Sequence, residues 1–123
     1  RIMRAYSRSK LAEVLFTREL ARRLQGTGVT ANCLHPGAVA TSIWNRAPAY
    51  TRPFFAIVKR VAMISPAQGA QTIVYLAASP EVADLSGLYF DKNQPRRPSR
   101  LAQDDRLAAR LWDESARLSG LAA

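Results

Sequence analysis

Tyr6 and Lys10, a phenol and a primary amine four positions apart, are the residues of this sequence best suited to acid–base chemistry. On an α-helix this spacing places both side chains on one face, one turn apart. A free phenol has a pKa of about 10, and a nearby ammonium group favours the phenolate. Such a pair could protonate a carbonyl oxygen or deprotonate an alcohol near neutral pH. The spacing is common by chance, so its context decides.

The residues around this pair have the pattern of a long helix. Apolar residues recur at three- and four-residue spacing over 5–24, without Gly or Pro. The Gly-Thr-Gly turn at 26–28 favours the left-handed conformation that ends a helix. A mostly buried strand is predicted over 29–35, where Pro36 and Gly37 close it. A strand that follows a helix through a tight turn indicates a parallel sheet.

Two more helices and one more strand are predicted downstream. Ser65 as N-cap, Pro66 at the first helical position and Gln68 at the third predict a capping box at the start of a helix. A strand is predicted over 87–91, and an amphipathic helix over 101–118. The sequence therefore predicts an α/β fold with two strands and three helices. Two strands are too few for a complete sheet, so we expect further strands from residues outside this sequence.

The segment 42–64 contains aromatic residues and prolines without clear periodicity. It is predicted to be an irregular connection with one short helix near 54–60. Connections of this length often have a function of their own. The apolar content favours a substrate lid, with a plain surface excursion as the alternative. Its aromatic side chains would line a substrate pocket or pack beneath the lid, and they are Trp44, Tyr50, Phe54 and Phe55.

The net charge of +9 raises the question of a nucleic-acid or anionic lipid partner. Most arginines, however, lie in amphipathic segments beside acidic residues, as in the predicted i,i+4 pairs Glu19–Arg23 and Asp113–Arg117. We therefore expect a solvated basic surface and no nucleic-acid partner. The Arg-Arg-Pro-Ser-Arg cluster at 96–100 leaves binding of a phosphate or an acidic partner open.

The cysteine and histidine content restricts the possible sites. Cys33 has no partner for an intrachain disulfide, and with His35 as the lone histidine no metal site is predicted. Cys33 is expected to be a small buried strand residue, with a reactive thiol as the alternative, and His35 is expected to have no acid–base role. No apolar run reaches the roughly 20 residues that span a bilayer. We expect a reducing, cytoplasmic setting.

A second motif follows the first predicted strand: Pro36, Gly37, Val39 and Thr41 form the pattern Pro-Gly-x-Val-x-Thr. Together with Tyr-x-x-x-Lys one helix earlier, it resembles the short-chain dehydrogenase/reductase family, and more narrowly its retinol dehydrogenase branch. Other stretches carry the same resemblance: Leu11-Ala12, 15–24, Leu34-His35, Gly69-Ala70-Gln71-Thr72, Ser86-Gly87-x-Tyr89-Phe90 and Leu111-Trp112.

The resemblance implies that residues 1–123 are the C-terminal part of a single Rossmann-type domain with a doubly wound parallel sheet, containing the catalytic helix, the last two strands and flanking helices. The Gly-rich turn and the catalytic Ser of the N-terminal cofactor half would precede Arg1. Tyr6 and Lys10 would be catalytic. The cofactor would be bound by Tyr6, Lys10, Pro36, Gly37, Val39 and Thr41, and Thr41 could also be the N-cap of a short helix.

The resemblance also implies an NAD(P)-dependent oxidoreductase that transfers hydride between the cofactor and an apolar alcohol or carbonyl compound. NADP(H) is favoured over NAD(H), and a homodimer through the catalytic helix is expected. Residues 1–123 alone are expected to be inactive, because the helix N-terminus that binds the pyrophosphate would be missing. The alternative is an inactive fragment or binding protein of the same fold. Glu13 stands where the family usually has Asn, and we expect it to point away from the Tyr6 face.

Overall fold

A computed structural model describes residues 2–37, 39 and 63–121 of the chain. The α-helices within these ranges are α1 (Ile2–Arg23), α2 (Pro66–Ala78) and α3 (Asp105–Leu118). The strands are β1 (Cys33–His35), β2 (Tyr89–Asp91) and β3 (Gln94–Arg96). Short 3-10 helices cover Pro80–Val82 and Leu101–Gln103, and the second of these replaces the start predicted for the last helix. The α/β class predicted from the sequence is confirmed.

The sheet has the order β1-β2-β3, and its first pair is parallel as predicted. Strand β3, which the sequence did not predict, pairs with β2 in the antiparallel direction. The two-residue turn between them has φ values of 50° at Lys92 and 60° at Asn93, the left-handed pair that a tight hairpin requires. Pro95 argued against a strand, because proline has no N–H for a ladder. It is tolerated here because β3 has β2 on one side only among the described strands.

Strand β1 is shorter than predicted because the residues before it form other hydrogen bonds. The Asn32 amide donates to the Leu85 carbonyl at 2.7 Å, and its oxygen accepts from the Leu88 N–H at 3.0 Å. The Ala31 N–H donates to the Ser86 hydroxyl at 3.1 Å. These side-chain bonds hold the segment that precedes β2 against the chain that enters β1. They therefore fix the register of the parallel pair.

Helix α1 packs against α3 and covers the sheet. The rings of Phe16 on α1 and Trp112 on α3 are stacked, with centroids 5.2 Å apart, and the guanidinium group of Arg23 lies 4.6 Å from the Trp112 ring centroid. Phe90, the central residue of β2, is fully buried, and Leu15 of α1 is buried as well. Burying such side chains is the main favourable contribution to packing of the two layers.

The charged residues of α1 and α3 are paired, but not entirely as predicted. The Glu19–Arg23 pair is confirmed, at 2.7 Å. The predicted Asp113–Arg117 pair is wrong, because Arg117 binds Glu114 at 2.8 Å and Asp113 lies 3.7 Å from Arg23 across the helix interface. Tertiary packing thus brought Asp113 within reach of a partner on another helix.

Glu19 is a charged residue inside the helix interface, with 2% of its side chain exposed. Its carboxylate accepts hydrogen bonds from Arg22 at 2.6 and 2.9 Å and from Arg23 at 2.7 Å. The hydrogen bonds from Arg22, together with those from Arg23, outweigh the burial and lower the pKa of Glu19 to about 2. A buried carboxylate bound in this way is costly to protonate or to replace.

We predict that this carboxylate makes stability depend on acidic pH. Because the folded-state pKa of Glu19 lies below the ordinary 4.5, its contribution is present above pH 4.5 and is lost as the pH falls toward 2. Glu19→Gln should destabilise the protein at neutral pH and flatten this part of the profile. Urea unfolding of the whole protein between pH 2 and 7 measures it, with the exposed Glu114→Gln as control. Profiles of equal slope for Glu19→Gln and the unsubstituted protein would contradict the prediction.

Candidate active site

Tyr6 and Lys10 lie on one exposed face of α1, as their spacing predicts. The Lys10 Nζ is 5.8 Å from the centroid of the Tyr6 ring, and Tyr6 is 58% exposed. Because α1 is continuous from Ile2 to Arg23, the two side chains keep this relation without help from a loop. A phenol and an ammonium group are therefore held side by side at the surface of the described part of the chain.

Glu13 lies on the same side of the helix, which the sequence analysis did not expect. The Lys10 Nζ donates hydrogen bonds to both oxygens of the Glu13 carboxylate, at 3.0 and 2.9 Å. The expectation that Glu13 points away from the Tyr6 face is wrong, because seven residues make nearly two full helical turns. The hydrogen bond that Lys10 donates to Glu13 is the largest of the effects that raise the pKa of Lys10.

A cavity of about 570 Å³ lies beside this face of α1. Its walls are α1, the C-terminal end of β1 with the turn after it, and the segment that follows β3. The residues that line it on these three sides include Tyr6, Lys10, Glu13, Cys33, His35, Pro36, Gly37 and Ser99, and Tyr89 reaches it from β2. The structure thus brings the Tyr6–Lys10 pair and the Pro36-Gly37 turn to one cavity, as the two motifs together predict.

Two other cavity residues, Cys33 and Tyr89, are more buried than Tyr6. Cys33 is half-buried in β1, where burial is the main cause that raises the pKa of its thiol. This favours the prediction of a structural cysteine over a reactive one. Burial also raises the pKa of Tyr89 on β2. Tyr6 is the exposed phenol of the two, and His35 is exposed at the end of β1.

The turn after β1 packs against the start of α2 and the residues just before it. Gly37 has a φ of +82°, and a Cβ there would lie 3.1 Å from the Ile64 side chain. Ile64 in turn forms a parallel bridge with Val39. A Cβ at Gly69, in the second turn of α2, would lie only 2.7 Å from Val39 Cγ2. The close approach of turn and helix therefore requires glycine at both positions.

The capping box predicted at the start of α2 is confirmed and holds this support in place. The Gln68 N–H donates to the Ser65 hydroxyl at 3.2 Å, and the Ser65 N–H donates to the Gln68 side chain at 2.9 Å. Sequence reasoning missed the part played by Gly69. A glycine inside a predicted helix was the available signal, because such a glycine often has a packing reason.

Some predicted residues lie outside the described residues. They are Thr41, the short helix near 54–60, nearly all of the predicted lid at 42–64, and its aromatic side chains Trp44, Tyr50, Phe54 and Phe55.

Neither a metal-binding cluster nor a membrane-spanning helix is found within the described ranges. Among these residues, no group of three or more His, Cys, Asp and Glu side chains could hold a metal ion. None of the helices placed there is both long enough and apolar enough to cross a membrane. In the basic cluster at 96–100, Arg97 donates a hydrogen bond to Gln103 at 3.1 Å.

The sequence is similar to those of known dehydrogenases. Residues 1–51 match the short chain dehydrogenase family profile. Human retinol dehydrogenase 14 is 48% identical over 94% of this chain and 35% of its own length, and human retinol dehydrogenase 13 is 46% identical over 97% and 37%. The bovine dehydrogenase/reductase SDR family member 13 is 43% identical over 97% of this chain and 32% of its own length.

The chain belongs to the short-chain dehydrogenase/reductase family, and the fold is part of its Rossmann-type α/β domain. Within that family it falls in the retinol dehydrogenase-like branch. It spans about a third of the length of the curated relatives it matches.

We predict that Gly69→Ala destabilises the protein, although alanine ordinarily favours a helix interior by up to about 1 kcal/mol over glycine. The new methyl group must displace the β-branched Val39 side chain, and overpacking of this kind costs roughly 1–3 kcal/mol. Urea unfolding of the whole protein measures the change.

The control is the double variant Gly69→Ala/Val39→Ala, which removes the Val39 Cγ2 methyl group that the Cβ added at position 69 would meet. It should lose less stability than the sum of the two single variants. Additive losses would show that Val39 and Gly69 are not in the close contact described.

Proposed function

We propose that the whole protein is an NAD(P)-dependent oxidoreductase that transfers hydride between a nicotinamide cofactor and an apolar alcohol or carbonyl compound. The observation that carries the proposal is the Tyr6–Lys10 pair on α1, which faces the cavity closed by Pro36 and Gly37. Family membership supports it, because the relatives include proteins named retinol dehydrogenases.

In this proposal Tyr6 is the general acid and base. Its hydroxyl donates a proton to the oxygen of a carbonyl substrate, and in the reverse direction it accepts the proton of an alcohol. The Lys10 ammonium lies 5.8 Å from the ring centroid, where it stabilises negative charge that develops during the proton transfer. Both groups are exposed toward the cavity, where a substrate oxygen has access to them.

The residues around the cavity fit a nicotinamide cofactor. Lys10 offers an ammonium donor for ribose hydroxyls. Gly37 presents backbone without a side chain, and Pro36 has no N–H to leave unpaired. Val39 and Thr41 would complete the binding turn. When bound, the cofactor supplies or accepts the hydride. The likeness to the retinol dehydrogenase branch favours NADP(H), which steady-state kcat/KM values with NADPH and NADH would test.

The proposed substrate is a small apolar alcohol or carbonyl compound. The names of the relatives indicate an alcohol of this kind for those proteins. The cavity beside Tyr6 has apolar walls from Leu11, Val14 and Ala102, which suit such a compound.

The setting and assembly of the protein are further proposals. The half-buried Cys33 thiol, with its raised pKa, suits a reducing cytoplasmic setting. A homodimer through α1 is also part of the proposal, and the partly exposed Phe16 of this helix, at 43%, supports it. Sedimentation of the whole protein would measure the assembly.

We predict that Tyr6→Phe lowers kcat/KM of the whole protein by about 100- to 10,000-fold, the usual contribution of general acid–base catalysis. The ring remains but the proton donor is lost. Lys10→Met should also lower kcat/KM, since the ammonium is lost. Turnover of a panel of apolar aldehydes with NADPH measures both variants.

Tyr75→Phe and Lys92→Met are the matched controls. Tyr75 lies on α2 and donates to Glu81 at 2.9 Å, and Lys92 lies in the β2–β3 turn, so both are outside the cavity. Both should retain turnover. A Tyr6→Phe variant as active as the Tyr75→Phe control would refute the role of Tyr6.

A further inference from the structure

Tyr6, Lys10 and Glu13 form a row along one face of α1, and each of them lines the same cavity. Tyr6 and Lys10 have roles in the proposed function, whereas Glu13 has none there. The positions i, i+4 and i+7 stack on one side of a helix. An acidic group therefore stands next to the ammonium group, on the side opposite Tyr6.

The contact between Glu13 and Lys10 involves both carboxylate oxygens, at 3.0 and 2.9 Å from Nζ. An ammonium group has three N–H donors. The contact with Glu13 takes up part of this donor capacity and leaves the rest for the cavity. Glu13 therefore influences both where Nζ lies and how many hydrogen bonds it can offer.

This ion pair is poorly suited to a purely structural purpose. The side chains of Lys10 and Glu13 are 53% and 61% exposed, and exposed pairs contribute little to folding. The ion pairs that join α1 to α3 are others, Arg18–Asp105 at 2.7 Å and Arg23–Asp113 at 3.7 Å. The place of Glu13 beside the cavity is thus more informative than its contribution to stability.

We propose that Glu13 is a positioning residue of this site, whose carboxylate holds the Lys10 ammonium on the cavity face of α1 beside Tyr6. The catalytic consequence rests on the proposed function. The hydrogen bond that Lys10 donates to Glu13 raises the pKa of Lys10 and so keeps the cation present at alkaline pH. Without the carboxylate, Lys10 would lose its proton at lower pH.

Other titratable groups around the cavity do not replace this effect. Cys33 and His35 reach it from β1 and Tyr89 from β2, while the segment before the second 3-10 helix contributes Pro98 and Ser99, which do not titrate. Among the residues lining this cavity, Glu13 is the carboxylate. Substitution of Glu13 therefore changes the charge next to Lys10 directly.

The test is chemical labelling of lysines in the whole protein without cofactor. Brief acetylation at fixed pH near 8 labels the neutral amine, and mass spectrometry compares Lys10 with the exposed Lys92 as internal reference. In Glu13→Gln the ratio of Lys10 to Lys92 labelling should rise about two- to fivefold, the size expected for an exposed ion pair. Glu13→Asp, which keeps the charge, should stay close to the unsubstituted protein.

Glu114→Gln is the matched control, because Glu114 forms an i,i+3 pair with Arg117 on α3, away from the cavity. Its labelling ratio should not change. An unchanged ratio in Glu13→Gln would overturn the proposal. This measurement requires no enzymatic turnover, so its result does not depend on whether Tyr6→Phe confirms the proposed function.

The second readout is the pH profile of kcat/KM. In Glu13→Gln the alkaline limb should move to lower pH, since Lys10 loses its proton earlier, while Glu13→Asp should restore its position. An ion pair confirmed by labelling together with an unmoved alkaline limb would overturn the positioning role and leave the proposed function intact.

Discussion

The site depends on the way one face of α1 is buried. Leu15 and the Glu19 carboxylate are buried on that face, and Phe16 stacks on Trp112 of α3 at its edge. A helix is stiff along its length, so packing at 15–23 sets the direction of residues one to three turns earlier. The exposed face with Tyr6 and Lys10 is thereby turned toward the cavity, although neither residue takes part in the packing.

Burying Glu19 is compatible with this arrangement because two cations accompany it. Arg22 and Arg23 satisfy its oxygens, and Arg23 also covers the Trp112 ring. The same helix thus contains two carboxylate–cation clusters with different surroundings. In the first cluster the Glu19 carboxylate is buried, while its arginine partners are partly exposed. The Glu13–Lys10 pair is exposed, where the charge and direction of the ammonium matter more than the energy of the pair.

The turn after β1 is held in a different way, which depends on the absence of a side chain at two glycines. Gly37 and Gly69 leave the space through which the turn approaches the start of α2. The capping box at Ser65 fixes where α2 begins and therefore where that space lies. Gly37 is thereby held against Ile64, while Pro36 and Gly37 line the cavity.

The sequence by itself determined the features that depend on neighbouring residues. Helical periodicity and glycine turns placed α1, the capping box placed α2, and the motifs at Tyr6–Lys10 and Pro36–Thr41 indicated the family, which the comparisons confirmed. These patterns involve residues close together in the sequence, so they can be recognised without knowing how the rest of the chain folds.

Only the tertiary structure decided the features that depend on distant residues. The hairpin strand β3 has an unfavourable proline and forms because β2 is there to pair with it. Asp113 faces Arg23 because α1 and α3 meet, and the role of Gly69 follows from the approach of Val39. Glu13 differs from these examples, because helix geometry alone placed it beside Lys10 on the same helix. Its contact with both oxygens depends on rotamers, which helical spacing leaves open.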